Sequence, residues 1–156
     1  METNRNAPPL KGATLCQIGF VAKDGAGFAK RIAELTGIAE PDPILTDGVE
    51  KAQTEFRGRP SPARAKLFFF QFGQVAIEII EPVGEPSTWK EFLDRHGDGV
   101  HHIAFTVKNA KETAEGLTAY GIPPIQSGVF EGGSYMYSDS EKSLGVILEL
   151  LDSTSP

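Results

Sequence analysis

Hydrophobic and polar positions follow the same order in two halves of the chain. Residues 17–38 (QIGFVAKDGAGFAKRIAELTGI) align with residues 102–122 (HIAFTVKNAKETAEGLTAYGI), with one residue of slippage. In each copy, alternation with a period of two gives way to an amphipathic stretch with a period near 3.6, as expected of a strand followed by a helix. The chain therefore predicts a strand and a helix, twice.

The ends of both predicted helices carry similar signals. Asp24 and Asn109 precede the amphipathic stretches, and their side chains are good acceptors for the unpaired N–H groups of a first turn. Gly37 and Gly121 follow the last apolar positions, where the left-handed backbone of a helix end favours glycine. The match in start, helix and stop indicates an internal duplication.

The halves also end alike. Residues 75–82 (VAIEIIEP) and 146–153 (VILELLDS) are apolar strands interrupted by one carboxylate, and residues 66–73 and 134–139 supply further strand material. A hairpin turn is expected at Gly73 and Gln74. We predict one α+β domain of two β-α-β-β-β modules, which form a cupped mixed sheet with helices on its outer face. The modules span about 14–82 and 100–152, with a linker at about 83–99.

The linker and an insertion are the parts that the two halves do not share. Ser87 is placed to cap a short linker helix, Trp89, Phe92 and Leu93 give it an apolar stripe, and Gly97 ends it. Positions 17 and 78 are 61 apart, whereas positions 102 and 149 are 47 apart, so the first copy is longer by 14. The surplus falls near residues 57–66 (RGRPSPARAK), which predict an exposed loop.

Four polar side chains occupy equivalent positions on otherwise apolar strands. Because side chains alternate across a strand, these four face away from the helices. A carboxylate within an apolar strand is costly to bury unless it is paired or bound to a cation. The four are therefore expected to meet at one centre. Their imidazole, carboxylate and amide oxygen groups suit a divalent metal such as Zn, Ni, Co or Mn. They are Gln17, Glu78, His102 and Glu149.

Composition narrows the classes of partner. The 156 residues have a net charge of −6 and a pI near 5.1, which argues against a nucleic-acid surface. No apolar run approaches the roughly 20 residues of a membrane span. The start of the chain lacks the apolar core of a signal peptide. Together these features favour a cytoplasmic protein that binds neither nucleic acid nor membrane.

With these residues in view, the chain from Cys16 to Leu151 resembles the vicinal oxygen chelate superfamily. Residues 99–109 (GVHHIAFTVKN) and 144–151 (LGVILELL) look like the metal-binding strands of that family. The resemblance implies metal ligands at the four inner positions. Residues 77–82 and 89–105 are particularly similar to methylmalonyl-CoA epimerases, which generally carry histidine where this chain has Gln17. The Gln, Glu, His, Glu set is instead similar to zinc-type glyoxalase I.

A second difference from the epimerases concerns their base. The epimerases carry a glutamate some 17 residues before the second ligand, and counting back from Glu78 gives Ser61. The nearest carboxylate is Glu55, if the loop is a pure insertion. We therefore expect no efficient methylmalonyl-CoA epimerisation unless Glu55 reaches the site.

The resemblance implies a metal-dependent isomerase, epimerase or lyase that removes a proton next to a carbonyl and stabilises the enolate. Glu149 is the first candidate for the base, and Glu78 is the second base or proton donor. The expected substrate is an acyl-CoA, a glutathione adduct or a small oxo acid, and the expected assembly is a homodimer. Two alternatives remain open: an extradiol-type ring-cleaving dioxygenase, and a non-catalytic small-molecule-binding resistance protein of the same fold.

Further side chains are assigned to the pocket or its surroundings. The apolar inner face is expected to include aromatic side chains, and a basic group is expected either to meet a phosphate or carboxylate tail or to lie in a solvated loop. The aromatic candidates are Phe70, Phe72, Tyr135 and Tyr137; the basic candidates are Arg57, Arg59, Arg64 and Lys66.

The three remaining candidates for metal chemistry are assigned other places. His101 precedes His102 in a strand, so alternation predicts that its side chain points to the opposite face. His96 is expected on the surface of the linker. Cys16, the single cysteine, is expected on the helix-packed face as a small buried hydrophobe.

Overall fold

The structure, a computed structural model, describes residues 7–153. The first six residues and the last three lie outside that range. The first six belong to the segment in which no signal peptide is expected. None of the helices in the described range is both long enough and apolar enough to cross a membrane.

Ten strands and five helices make up the described chain. In chain order they are β1 (Thr14–Val21), α1 (Gly25–Thr36), β2 (Ile44–Leu45), α2 (Val49–Ala52), β3 (Glu55–Phe56), β4 (Arg59–Pro60), β5 (Arg64–Phe72), β6 (Val75–Val83), α3 (Thr88–His96), β7 (Gly99–Thr106), α4 (Ala110–Thr118), β8 (Pro124–Phe130), β9 (Gly133–Ser138), α5 (Glu141–Leu144) and β10 (Ile147–Asp152).

All strands belong to one mixed sheet in the order β2-β5-β6-β1-β7-β10-β9-β8-β3-β4. β1 and β7 pair antiparallel at the centre, β1 runs parallel to β6, and β7 runs parallel to β10. The order β2-β5-β6-β1 therefore mirrors β8-β9-β10-β7 across the central pair. This arrangement confirms the predicted α+β fold and places the strands that carry the four polar residues side by side.

The helix signals act as the sequence predicts at three of the four ends. Asp24 accepts a hydrogen bond from Gly27 N, Asn109 accepts one from Glu112 N, and Gly37 adopts the left-handed conformation. α4 instead ends at Thr118, and Gly121 provides a left-handed turn beyond it.

The two long outer helices cover one face of the sheet. α1 packs on β5 and β6 through a cluster that includes Ala29, Phe68 and Ile79, while α4 packs on β9 and β10 through Ala114 and Leu148. Burial of these apolar side chains supplies the main driving force for the fold. Leu35, in the last turn of α1, is 84% exposed and stands outside this buried cluster.

The linker helix lies on the opposite, concave face. Ser87 caps α3 by accepting from Lys90 N, and Gly97 follows its last turn, as predicted. Trp89 and Phe92 join a buried cluster with Tyr137 of β9. α3 therefore fills part of the cup that the sheet forms.

The insertion in the first half crosses to the second half. β3 pairs with β8, and β4 pairs with β3 at the end of the sheet. Arg59 is exposed, but Ser61 and Ala63 are buried, and Ser61 Oγ donates to Pro86 O at 2.6 Å. The prediction of an exposed loop over residues 57–66 is therefore wrong for its middle, because the chain returns under the linker there.

Candidate metal centre

The four polar side chains at equivalent repeat positions meet around one ring nitrogen. Nε2 of His102 lies 2.9 Å from Gln17 Oε1, 2.9 Å from Glu149 Oε2 and 3.8 Å from Glu78 Oε1. All four residues are buried, with relative exposures between 0% and 8%. The structure thus gathers one imidazole, two carboxylates and one amide in a nearly closed space.

The register of the central strands explains this convergence. Gly19 of β1 is the partner of Glu78 on β6 and of His102 on β7. A side chain at Gly19 would overlap the His102 ring, so the glycine leaves room for the imidazole between the halves. Gln17 and Glu149 both lie opposite Ala104, which completes the group from the two neighbouring strands.

A β-bulge changes the position of His101. The β1–β7 register shifts between Gly19 and Phe20, whose partners are His102 and Val100, so His101 is the extra residue. Its ring lies on the concave side, with Nδ1 2.9 Å from Nδ1 of His102. The prediction that His101 points to the opposite face is therefore wrong, because the bulge interrupts the alternation.

A second register shift moves Cys16. It falls between Leu15 and Gln17, and the Cys16 thiol donates to Ala104 O at 3.5 Å. Burial raises the pKa of this thiol, and the charge of Glu149 raises it further. Cys16 is thus half-buried close to the four polar residues, not on the helix-packed face, and that prediction is wrong for the same physical reason as for His101.

Burial and mutual repulsion govern the protonation of this group. Burial and the nearby charge of Glu149 raise the pKa of Glu78 to about 8, although His102 opposes the shift. Burial alone would lower the pKa of His102, but the charge of Glu149, the hydrogen bond to it and the charge of Glu78 raise it overall. Without a cation, the centre therefore retains protons at neutral pH.

The donor set suits a divalent cation. Glu149 Oε2 is buried against Nε2 of His102, and a buried carboxylate is costly unless it is paired or bound to a cation. Donor atoms that share one cation at about 2.1 Å lie about 3.0 to 3.4 Å apart. The two contacts at 2.9 Å are close to that spacing. Glu78 is farther away, and no three His, Cys, Asp or Glu side chains in residues 7–153 lie close enough together to hold a metal ion without rearrangement.

The linker helix closes one end of the cup beside this group. The Trp89 indole N–H donates to the Tyr137 hydroxyl at 3.0 Å, and the Tyr137 ring lies 5.2 Å from that of His102. Val21 and Ile80, two residues beyond Gly19 and Glu78, lie in the same buried cluster. At the other end of these strands, Thr106 is exposed.

The aromatic side chains expected on the inner face divide between the two sides of the sheet. Tyr135 and Tyr137 pack in the concave cluster, and burial raises the pKa of Tyr135 to about 12. Phe70 instead packs beneath α1, and Phe72 shares its side of β5, so the prediction is wrong for both. Phe69, the cross-strand partner of Glu78 and partly exposed, lies on the Glu78 side of β5 instead.

The predicted basic residues are spread over separate contacts. Arg57 pairs with Glu91 of α3, Arg64 donates to the backbone oxygen of Thr46, and Lys66 lies 3.7 Å from Glu81. These three are engaged within the chain, although Arg57 and Lys66, like Arg59, are exposed to solvent.

Clefts also lie on the protein surface away from the centre. A cleft of about 390 Å³ is lined by Phe92, His96 and His101, and another of about 340 Å³ is lined by Glu55, Lys111 and Tyr135 among others. Neither cleft touches any of the four polar residues. Glu55 itself is exposed on β3, where it pairs with Ser127.

Comparison with known proteins gives a match over most of the chain. The model of the Glyoxalase/Bleomycin resistance protein/Dioxygenase superfamily matches residues 16–137. That range includes Gln17, Glu78 and His102 and ends before Glu149. The uncharacterized protein YqjC of Bacillus subtilis (strain 168) is 29% identical over 92 residues, which are 57% of this chain and 66% of that protein, slightly less than two thirds of its length.

Solved structures share the fold at low sequence identity. The hypothetical protein BH1468 from Bacillus halodurans C-125 has a TM-score of 0.66 and 19% identity, over 93% of this chain and 97% of that one. A methylmalonyl-CoA epimerase in complex with methylmalonyl-CoA and NH4+ has a TM-score of 0.63 and 18% identity, over 92% of this chain and 96% of that one.

Proposed function

We propose, since the chain belongs to the glyoxalase, bleomycin resistance protein and dioxygenase superfamily, that it is a metal-dependent isomerase, epimerase or lyase. In this proposal the enzyme removes a proton next to a substrate carbonyl and stabilises the resulting enolate. The metal ligands are Gln17, Glu78, His102 and Glu149.

One observation carries this function. Three buried side-chain oxygens from three different strands surround a single imidazole nitrogen, and two of them belong to carboxylates. Two buried carboxylates so close together repel each other, and a divalent cation would balance both charges. When bound, it would supply Lewis-acid stabilisation of negative charge on a substrate oxygen.

The residues themselves account for binding and proton transfer. Glu149 is the proposed base, because a carboxylate near a substrate carbon can accept its acidic proton. Glu78, whose carboxylate lies 3.8 Å from His102 Nε2 on the opposite half of the sheet from Glu149, is the proposed second base or proton donor. Trp89 and Tyr137 exclude water from one side of the centre. The end of β7 where Thr106 is exposed is the proposed approach for the substrate.

The substrate class is proposed from the resemblance to the superfamily. An acyl-CoA, a glutathione adduct or a small oxo acid each offers a carbonyl with an acidic neighbouring C–H. The exposed position of Glu55 on β3 argues against a second epimerase-type base there. The glyoxalase-like isomerisation, in which the proton returns to a neighbouring carbon, is therefore favoured over methylmalonyl-CoA epimerisation.

The first experiment measures metal content in the purified protein. We expect about one equivalent of divalent metal per chain, and we expect His102→Ala to lose it while the domain stays folded by circular dichroism. His96→Ala is the matched control, since His96 is exposed on α3. Unaltered metal content in the His102 variant would contradict the ligand assignment.

The second experiment measures exchange of a substrate C–H with solvent deuterium. The panel should span 2-methyl-branched acyl-CoA thioesters, glutathione hemithioacetals and small 2-oxo or 3-oxo acids. Metal-dependent exchange with one class supports the enolate mechanism. Oxygen consumption with a catechol would favour the dioxygenase instead, and tight binding without exchange or turnover in a metal-free cup would favour a binding protein.

A further inference from the structure

His101 sits directly behind the proposed metal ligand His102. The Nδ1 atoms of the two rings are 2.9 Å apart, and Nε2 of His101 lies 3.1 Å from the Thr88 hydroxyl. We infer that His101, held by Thr88, is a positioning residue that sets the ring orientation and the tautomer of His102 for metal binding. This inference rests on the proposed metal centre.

The chemistry of a neutral imidazole explains the arrangement. Its single proton must sit on Nδ1 when Nε2 binds a cation, and a buried N–H needs an acceptor. His101 Nδ1 is that acceptor. The proton of the His101 ring then sits on Nε2 and is donated to Thr88 Oγ1, so both rings keep one proton and every N–H is paired.

The same hydrogen-bonded series of His102, His101 and Thr88 also serves the metal-free centre. When the neutral His102 ring holds no metal, its Nε2 faces the acceptor oxygens of Gln17 and Glu149 at 2.9 Å and carries the proton. His101 Nδ1–H then donates to His102, and the Thr88 hydroxyl donates to His101. A backbone carbonyl could only accept a proton, whereas an imidazole and a hydroxyl fit both states.

Packing holds this hydrogen-bonded series in place. The His101 ring packs in T-shaped contacts with Phe92 and Tyr137, with ring centroids 5.5 and 5.1 Å away. Thr88 is the first residue of α3, and its N–H donates to Gln126 Oε1 at 2.8 Å. A ligand held by a rigid second layer of this kind binds its metal more tightly than one that can turn.

The test compares two replacements of His101 by titrating the metal-free protein with Co²⁺. His101→Leu removes the acceptor for His102, and we expect Co²⁺ binding weaker by about 10- to 100-fold, with a changed visible absorption spectrum. His101→Asn places an amide oxygen near the position of Nδ1 and should restore most of the affinity. Unfolding of each metal-free variant by urea separates this effect from a general loss of stability.

A second pair keeps His101 itself and changes its partner. Thr88→Val removes the hydroxyl with nearly the same shape, and we expect weaker Co²⁺ binding, whereas Thr88→Ser should bind like the unaltered protein. His96→Leu is the matched control, because His96 also packs on Phe92, with centroids 4.8 Å apart, but lies away from His102.

The outcomes separate this inference from the metal centre it depends on. If the unaltered protein binds no Co²⁺, both the metal centre and the positioning role are wrong. If it binds one equivalent, and His101→Leu and Thr88→Val bind with the same affinity and spectrum, the positioning role alone is overturned. Weaker binding in those two variants, with recovery in His101→Asn and Thr88→Ser, supports it.

Discussion

The imidazole of His102 occupies the space where Gly19, its partner on the neighbouring strand, would carry a side chain. Glycine is unfavourable in the interior of a strand, because it has no side chain to pack and loses much conformational freedom on folding. Its presence in the middle of β1 is explained by this close approach. Gly19 therefore serves the centre as much as the four polar residues do.

We expect Gly19→Ala to displace the His102 ring. Overpacking of this kind typically costs about 1 to 3 kcal/mol of unfolding free energy, and a misplaced ligand should weaken metal binding by about tenfold or more. Urea unfolding and metal titration measure the two effects. Gly116→Ala in α4 is the control, since an added Cβ there meets Pro9 at 3.4 Å, an ordinary contact. Equal metal affinity in both variants would contradict the close approach.

The metal-free domain should lose stability as the pH rises from about 4.5 to about 8. The pKa of Glu78 is about 8 in the folded chain against 4.5 when unfolded, so the folded state binds more protons in that range. Stability then falls with pH, by at most about 1.4 kcal/mol per pH unit for one group. The raised pKa of His102 acts in the same direction, since its contribution is complete below pH 6.5 and is lost above it.

Urea unfolding with a chelator present, at several pH values, measures this dependence. Glu78→Gln should weaken this dependence, because the amide does not titrate. Added Zn²⁺ should remove or reverse it, because metal binding displaces the protons that Glu78 and His102 hold. A stability that rises between pH 5 and 8 in the metal-free protein would contradict the raised pKa of Glu78.

The repeat made the fold and the meeting of the four polar residues predictable. Asp24 and Asn109 mark equivalent helix starts, and Glu78 and Glu149 mark equivalent terminal strands, so two modules with a shared concave face follow from the pattern. The resemblance to the vicinal oxygen chelate superfamily is likewise confirmed by the family match and the fold.

Strand alternation failed where the register shifts. Alternation assumes one residue per partner, and the bulges at Cys16 and His101 each add an unpaired residue that turns a side chain to the other face. The three consecutive phenylalanines of β5, Phe68 to Phe70, gave no polar position to identify the faces. Only tertiary pairing placed Phe69 beside Glu78.

We expect Glu55→Gln to leave deuterium exchange within about twofold of the unaltered protein. Glu55 is exposed on β3, four strands beyond β7 in the order of the sheet. The unaltered protein should also epimerise methylmalonyl-CoA poorly, as measured by a coupled assay for the opposite epimer. A strong loss of exchange in this variant would mean that the insertion carries a base after all.

The role of Glu149 is tested by the most conservative change, Glu149→Gln. The amide can still offer an oxygen to the metal but is too weak a base to take a carbon-bound proton, so exchange should fall by about 10² to 10⁴. Metal content must be measured in the same sample. A loss of exchange together with loss of metal would assign Glu149 to binding alone.

Glu78→Gln then distinguishes one base from two. In an enzyme with two bases on opposite faces of the substrate, Glu149 continues to exchange the proton from its own face, but inversion at that carbon is lost. In a single-base isomerase, exchange and product formation decline together and by less. Proton NMR of the substrate in deuterated solvent follows exchange, and a chiral product assay follows inversion. Full inversion in Glu78→Gln, with metal bound, would exclude Glu78 as the second base.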